Sequence, residues 1–351
     1  MKPPIYLDNQ ATTRCDPRIV DAMLPFFSDT YGNSSSVSHS YGQEALQAIT
    51  KAQQQIANLI GATDPNCIFF TSGSTESNNI ALKSMTLVDP TQSHLVTTAA
   101  EHKAILDPAE FLESSGVGTS VLPVDQYGAV NPVEVGRAIQ DATKVVSVIY
   151  ANNEVGTLND LSAIGDICKE KECVLHTDAT QAAGKTSINV ESQGIDMLSL
   201  SGHKIYAPKG IGILYVRRRA RGLKMMPLLH GGGHQNKIRS GTLPVAMIVG
   251  LGKACDLLST EFEEVNQHCQ TLTDLMKNGL QDNISGITFN GHPTERMVGN
   301  LHVTIEGVKS EALLHLMRDQ VALSTGAACT TSAPEPSHVL LSMGKTSKEI
   351  S

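Results

Sequence analysis

The stretch Asp196-Met-Leu-Ser-Leu-Ser-Gly-His-Lys204, continued by Ile205-Tyr-Ala-Pro-Lys-Gly-Ile-Gly-Ile-Leu-Tyr-Val216, predicts two neighbouring strands of a buried sheet. Two short apolar runs, Met197 to Leu200 and Ile211 to Val216, have the length and composition of such strands. Between them, Lys204 lies in a polar turn. A lysine held between buried strands is a candidate amine nucleophile, whereas a solvated lysine at a strand end is the alternative for this stretch alone.

Composition and charge limit the classes to which the chain can belong. Its 351 residues, 40% of them apolar, suffice for one large domain or two. The net charge of -8 does not favour binding to nucleic acid or to an anionic membrane. No apolar run approaches the ~20 residues of a membrane helix, and the first residues carry no signal peptide. Seven cysteines, an odd number without close pairs or zinc spacing, predict a cytoplasmic protein without a metal site.

Strands and helices alternate between residues 67 and 216, which predicts an α/β fold with a mainly parallel sheet. Ligands of such sheets bind beyond the carboxyl ends of the strands. Polar sets follow the predicted strands at these ends, and one crevice could collect them: residues 71–79, 102, 152–154, 178–181 and 201–204.

A long helix is predicted from near Val245, with a break near residues 259–261, and it would lead into a smaller α+β domain. We expect a large domain over residues 15–255. The small domain would combine residues 1–14 with residues 256–351.

Two of the polar sets have features of a ligand site. Residues 71–79, Thr-Ser-Gly-Ser-Thr-Glu-Ser-Asn-Asn, connect a strand to a helix, so that backbone N–H groups and hydroxyls would point at an anion such as phosphate. The segment matches neither GxGxxG nor the P-loop, and a capped helix without ligand is the alternative. His102 follows another strand, where its ring could stack on a flat ligand, move a proton or serve structure alone.

An amine, a phosphate cradle, a carboxylate and a flat ring partner together describe a site for pyridoxal 5'-phosphate (PLP). Lys204 would form a Schiff base with the cofactor, and Asp178 would keep the pyridine nitrogen protonated. Gln181 would donate to the ring oxygen, and His102 would stack on the ring. The phosphate would be held by Thr75, Ser201 and His203.

The sequence resembles the cysteine desulfurases, the NifS/IscS-like branch of the class V aminotransferases, which have the PLP fold-type I architecture. The resemblance rests on eight motifs in order: Tyr6-Leu-Asp-Asn-Gln-Ala-Thr-Thr13, Thr71-Ser-Gly-Ser-Thr-Glu-Ser-Asn-Asn79, Glu101-His-Lys103, Asn152-Asn-Glu-Val-Gly156, His176-Thr-Asp-Ala-Thr-Gln181, Ser201-Gly-His-Lys204, His230-Gly-Gly-Gly-His-Gln235 and Arg239-Ser-Gly-Thr242. It implies the PLP roles above, with Ser74 added at the phosphate and Asn153 near the substrate. It also implies a homodimer in which Thr242 reaches the phosphate of the neighbouring subunit.

Residues 323–336 are rich in glycine, small residues and proline and predict a loop in which Cys329 has no hydrophobic neighbours to bury its thiol. An incidental loop cysteine is the alternative from chemistry alone. The resemblance implies instead that Cys329 takes sulfur from L-cysteine as a persulfide, leaving L-alanine, while Lys204 or His102 moves protons. Sulfur-acceptor proteins for iron–sulfur clusters or for tRNA or DNA modification would be the partners.

One feature departs from the family pattern. Family members carry a C-terminal strand whose arginine clamps the substrate carboxylate, and no such motif occurs up to Ser351, so the small domain is expected to be truncated. Two alternatives therefore stand beside the desulfurase. One is a selenocysteine lyase or another class V aminotransferase, and the other is a weakly active PLP-binding scaffold.

Overall fold

A seven-stranded sheet lies at the centre of the computed structural model, which describes residues 3–221, 225–325 and 336–350. In chain order, the strands in these ranges are β1 (Ile5–Tyr6), β2 (Ile68–Thr71), β3 (His94–Thr98), β4 (Gly118–Leu122), β5 (Thr143–Ser147), β6 (Val174–Asp178), β7 (Met197–Ser201), β8 (Gly212–Val216), β9 (Ile287–Asn290), β10 (His302–Ile305) and β11 (Val321–Ala322). The helices are α1 (Pro17–Met23), α2 (Pro25–Ser28), α3 (Ser40–Ile60), α4 (Ser74–Thr86), α5 (Lys103–Ser114), α6 (Pro132–Ala138), α7 (Leu161–Glu170), α8 (Arg218–Arg221), α9 (Val245–Asn283), α10 (Ser310–Met317), α11 (His338–Ser342) and α12 (Ser347–Ile350).

The strand order in the central sheet is β2-β8-β7-β6-β5-β3-β4. From β7 to β4 every neighbouring pair is parallel, whereas β8 is antiparallel to both β2 and β7. The predicted α/β fold with a mainly parallel sheet is therefore confirmed. The parallel strands β3, β5, β6 and β7 all end at one edge of the sheet. The predicted polar residues lie at or after these strand ends.

Side chains alternate across this sheet into two separate apolar clusters. Phe70 and Val146 belong to the cluster that also contains the buried faces of α3, α7 and α9. Their chain neighbours Phe69 and Val145 belong to the other cluster, with α4 and α5. This alternation is the period of two that extended strands impose, and it leaves both faces of the sheet covered.

Local signals in the sequence define several helix ends. The Asp16 carboxylate accepts a hydrogen bond from the Arg18 N–H and caps α1, which begins at Pro17 as predicted. Gly61 ends α3 in the left-handed conformation with φ of 66°, which a glycine adopts without a Cβ penalty. Asp160 caps α7 through a bond from the Ala163 N–H.

The predicted break near residues 259–261 is wrong, because α9 runs unbroken for 39 residues. The hydroxyls of Ser259 and Thr260 donate to carbonyls of their own helix, those of Cys255 at 2.9 Å and Asp256 at 3.0 Å, and so they do not compete with the backbone ladder. Since α9 crosses residue 255 as one element, the predicted domain boundary there stays a prediction.

The remaining strands form two small pairs outside the central sheet. β1 pairs in parallel with β11, and β9 pairs antiparallel with β10. The β1–β11 pair brings the first residues of the chain beside residues 321–325, next to the end of the central sheet. Throughout the described ranges, every helix is too short or too polar to cross a membrane.

Candidate active site

A cavity of about 420 Å³ opens at the carboxyl ends of the central strands. Eight of the predicted site residues line it: Ser74, Thr75, His102, Asn153, Asp178, Gln181, His203 and Lys204. Each follows the end of a strand or begins the next helix, because the parallel topology brings these ends together. The convergence expected from the sequence is therefore present in the fold.

Lys204 ends a short 3-10 turn, Gly202–Lys204, that directly follows β7. Its ammonium donates to two backbone carbonyls of the segment after β1, those of Gln10 and, at 2.9 Å, Ala11. Both Gln10 and Ala11 line the cavity. Hydrogen bonds thus hold the amine at the cavity wall. From this position it can react with an aldehyde in the cavity.

Asp178, the last residue of β6, is 4% exposed and lies at the base of the cavity. Its Oδ2 accepts a bond of 2.7 Å from Asn78 Nδ2, and its Oδ1 accepts one of 3.0 Å from the Thr180 N–H. A buried carboxyl group with two fixed donors is held in one orientation. Asn78 and Thr180 were not identified from the sequence as partners of Asp178.

His102 is the N-cap of α5, and its Nδ1 accepts a bond of 3.0 Å from the Ala104 N–H. Since Nδ1 accepts, the ring proton lies on Nε2 in the neutral form. Burial lowers the pKa of His102 below its usual value; the charge of Lys204 also lowers it, while that of Asp178 opposes the shift. The ring is therefore neutral at physiological pH and suited to stacking or to accepting a proton.

The turn before α4 is the segment in which the sequence predicts an anion site. Gly73 is the N-cap of this 13-residue helix and supplies no side-chain hydrogen bond, so the first backbone N–H groups remain for a ligand. Ser74 and Thr75 line the cavity at this helix end. His203 also lines the cavity, and burial, with smaller contributions from Lys204 and Lys209, lowers its pKa to about 4, so that its ring is neutral at physiological pH.

Two predicted residues that the structure describes do not line the cavity. Ser201 is buried at the end of β7, and a Cβ placed on Gly73 would lie 3.6 Å from its hydroxyl, so Ser201 supports the turn from behind. Thr242 is exposed and is not among the residues that line the cavity. Cys329 lies outside the described residues.

Sequence reasoning missed several polar groups around the cavity. Gln181 Nε2 donates to the Gln10 carbonyl at 2.9 Å, while Lys185 Nζ donates to Gln181 Oε1 at 2.9 Å. Glu154 lines the cavity and accepts a hydrogen bond from Ser337 Oγ, and burial raises the pKa of its carboxyl to about 7. Glu154 and Gln181 lie in the motifs at residues 152–156 and 176–181. No local sequence pattern identifies their distant partners, Ser337 and Gln10.

The described residues leave polar atoms that a ligand would satisfy. The cavity-lining Thr180 Oγ1 and Asn153 Oδ1 are buried, and neither has a hydrogen-bond partner within the part of the chain that the structure describes. With an amine, a fixed carboxylate and an open helix N-terminus, these atoms fit a phosphorylated pyridine aldehyde such as PLP. In the same ranges, no group of three or more His, Cys, Asp or Glu side chains could hold a metal ion.

Both ends of the segment that contains Cys329 adjoin the cavity. Leu323, Ser324 and Thr325 line it directly after β11, and Ser324 Oγ donates to Asp8 Oδ1 at 2.7 Å. On the other side, Ser337 binds the lining residue Glu154.

Known proteins are similar to this chain over nearly its whole length. The profile of the family described as "Aminotransferase class-V" matches residues 5–348. The chain is 44% identical over 342 residues to the "Cysteine desulfurase IscS" of Rickettsia africae (strain ESF-5), which covers 97% of this chain and 83% of that protein. A solved "NIFS-LIKE PROTEIN" is 34% identical with a TM-score of 0.88, covering 99% of this chain and 91% of that one. The structure "SspA in complex with cysteine" is 33% identical with a TM-score of 0.85, covering 99% of this chain and 96% of that one.

Proposed function

The chain belongs to the class-V aminotransferase family, and on that premise we propose that it is a PLP-dependent cysteine desulfurase. It converts L-cysteine to L-alanine and keeps the sulfur as a persulfide on Cys329. One observation carries the proposal: Lys204, Asp178 and the N-terminus of α4 surround a single cavity, and residues on both sides of the Cys329 segment adjoin that cavity. The similar SspA structure is described as a complex with cysteine, which supports L-cysteine as the substrate.

The residues that would hold PLP divide by chemistry. The phosphate would be held by Ser74, Thr75 and the N–H groups at the start of α4, with Ser201 and His203 around the same turn. Asp178 would pair with the ring nitrogen, and Gln181 would donate to the ring oxygen. When bound, PLP supplies an aldehyde that condenses with amines and a ring that draws electrons from the substrate.

Proton movement at the substrate falls to groups at the cavity wall. The Lys204 amine, which contacts the Gln10 and Ala11 carbonyls, would serve as a base for a proton of the bound amino acid. His102, neutral and with its proton on Nε2, can stack on the ring or exchange a proton there. Asn153, whose buried Oδ1 lacks a partner among the described residues, orients the bound amino acid.

The sulfur step balances without an external oxidant or reductant. The bond between the substrate sulfur and its β carbon breaks and leaves the electron pair on carbon, which takes up a proton. A new S–S bond joins that sulfur to the Cys329 thiolate, so one thiol and one cysteine give one persulfide and one alanine. Cys329 follows the lining residue Thr325 by four positions, and four residues span at most ~14 Å.

We propose that two copies of the chain form the working enzyme. Arg239 Nε donates to Glu76 Oε1 at 2.8 Å, which fixes the segment leading to Thr242 beside the first turn of α4. Thr242 is exposed there and is free to reach the phosphate of a second copy. Large apolar side chains are also exposed around α1 to α3: Leu24, Phe27, Tyr31, Val37 and Tyr41.

The sulfur acceptor is a protein that accepts a persulfide by thiol exchange, as in iron–sulfur cluster assembly or in tRNA or DNA sulfur modification. A reducing compartment, the cytoplasm, suits this chemistry because the persulfide must not be lost to disulfides.

An absorbance spectrum of the purified protein, repeated after addition of L-cysteine, tests the proposal. A band near ~420 nm is expected from cofactor bound to lysine, and it should vanish in Lys204→Ala. L-cysteine should shift the band and release alanine and sulfide in the presence of a reductant. A protein that binds no PLP contradicts the proposal altogether, and a band that ignores L-cysteine but responds to another amino acid points to a different class V activity.

A further inference from the structure

Lys185 is an ammonium group beside the cavity that the proposed reaction does not use. It lies four residues after Gln181 in the turn that follows β6, where the Lys185 N–H donates to the Ala182 carbonyl at 3.0 Å. The turn directs its Nζ to Gln181 Oε1, at 2.9 Å. Burial lowers the pKa of Lys185 to about 8, with a further contribution from the charge of Lys204, so the group stays mostly protonated at neutral pH. Its hydrogen bond is therefore charge-assisted.

The two ends of the Gln181 amide face different partners. An ammonium only donates, so the amide must turn its oxygen to Lys185. The amide nitrogen then faces the Gln10 carbonyl, to which it donates at 2.9 Å. A flipped amide would place NH₂ against the ammonium and oxygen against the Gln10 carbonyl, and both bonds would be lost.

We propose, on the basis of the desulfurase function above, that Lys185 is a positioning residue that sets the amide of Gln181 as a hydrogen-bond donor towards the cofactor. The amide nitrogen carries two hydrogens, and the Gln10 carbonyl takes one. The second remains for the cavity, which Gln181 lines. The ring oxygen of PLP is an acceptor, so it gains a bond only if the nitrogen, and not the oxygen, faces it.

The Gln10 carbonyl extends the effect of Lys185 to the reactive lysine. This carbonyl accepts from both Gln181 Nε2 and Lys204 Nζ, so an amide fixed by Lys185 also fixes one of the acceptors on which the Lys204 amine rests. A chain of bonds from Lys185 through Gln181 and Gln10 thus orders the wall on which the cofactor binds.

A double-mutant cycle on PLP binding tests the role of Lys185. The dissociation constant of PLP is measured on apoprotein by titration of the ~420 nm band, with folding checked by circular dichroism. We expect Lys185→Met to raise the Kd about tenfold, the loss of one hydrogen bond at the ligand. Lys185→Arg, which still donates, should restore most of the affinity. In a Gln181→Leu background the same Lys185→Met change should alter the Kd less than about twofold, because the amide is gone.

Three results would overturn the inference. The first is an unchanged Kd in Lys185→Met, and the second is an equal loss in both backgrounds, which is the sign of a merely structural lysine. The third concerns Lys185→Leu, a variant without a donor that serves if Lys185→Met does not fold: a wild-type Kd there would show that the ammonium is dispensable. A wild-type protein that forms no ~420 nm band would instead reject the proposed function, so the two failures are distinguishable.

Discussion

Ser337 Oγ donates a hydrogen bond to Glu154 Oε2, joining residues 183 positions apart in the chain. Glu154 lines the cavity, and Ser337 is the N-cap of α11, where its Oγ accepts from the Leu340 N–H at 3.2 Å. The next residue, His338, donates from Nε2 to the Glu101 carbonyl at 2.8 Å. The chain that follows the Cys329 segment is therefore bound to Glu154, which lines the cavity, and to Glu101, the neighbour of the lining residue His102.

Replacing Ser337 by alanine should destabilise the protein and slow sulfide release. The substitution removes a helix cap and leaves a buried carboxyl without its donor, so the free energy of unfolding should fall by about 1–3 kcal/mol in urea denaturation. Ser342→Ala is the matched control, because the Ser342 hydroxyl donates to the Val339 carbonyl of the same helix. Equal effects of the two substitutions would show that the bond to Glu154 contributes nothing.

Glu101 should make stability fall as the pH rises. Its side chain is fully buried, and burial raises its pKa from 4.5 to about 8 against the opposing bonds from the Ile149 N–H and the Thr98 hydroxyl. An acid whose pKa is raised on folding contributes stability below its unfolded pKa, and this contribution is lost as the pH rises through the folded pKa. Over that window, one such proton changes the free energy of unfolding by roughly 1.4 kcal/mol per pH unit.

Glu101→Gln removes this titration and should flatten the pH dependence. The difference in unfolding free energy between Glu101→Gln and wild type should grow in favour of the variant from pH 5 to pH 8, measured by chemical denaturation. Histidines that titrate in both proteins cancel in this difference. The exposed Glu110 on α5 provides the control, since Glu110→Gln should run parallel to wild type. Parallel curves for Glu101→Gln as well would mean that its carboxyl is not held protonated.

Two glycines of α9 should respond to alanine with opposite signs. At Gly252, where α9 crosses α3, a Cβ would lie 2.6 Å from the Cβ and 2.7 Å from the Cα of Ala52. The backbone of α3 would have to move, which costs about 1–3 kcal/mol. At Gly279, exposed in the same helix, a Cβ meets nothing within 4 Å, so alanine should add about 0.5–1 kcal/mol through helix propensity. Thermal denaturation of both variants measures the two changes in stability. A loss of stability in both variants would contradict the geometry.

The sequence was sufficient to find the residues at the strand ends. Lys204, Asp178 and His102 each follow a short apolar run, and the rule that parallel strands end at one edge places them together without knowledge of their contacts. The sequence predicted a break in α9 near residues 259–261, but the helix continues there, and the Ser259 and Thr260 hydroxyls bond to its carbonyls. Propensity alone does not distinguish these two outcomes.

Partners distant in the chain could not be predicted in the same way. The bond between Glu154 and Ser337 depends on how the chain returns to the sheet after residue 325, and no period in the sequence encodes that return. The acceptors of the Lys204 amine are backbone carbonyls, which every residue carries, so no residue type marks Gln10 or Ala11 in advance. Such contacts follow from tertiary placement.

Cys329→Ala should separate sulfur transfer from the rest of the reaction. The variant keeps Lys204 and the cofactor site, so it should retain the ~420 nm band and still shift it with L-cysteine, while sulfide release falls to background. The reason is that no thiolate remains to take the substrate sulfur. Cys15→Ala, at a thiol partly packed against the core, is the control and should release sulfide at the wild-type rate.

Selenocysteine cleavage offers a further readout, because a lyase acting on selenocysteine does not need Cys329. If Cys329→Ala released sulfide as wild type does, the persulfide on Cys329 would be ruled out, and intact selenocysteine cleavage in the same variant would favour a lyase.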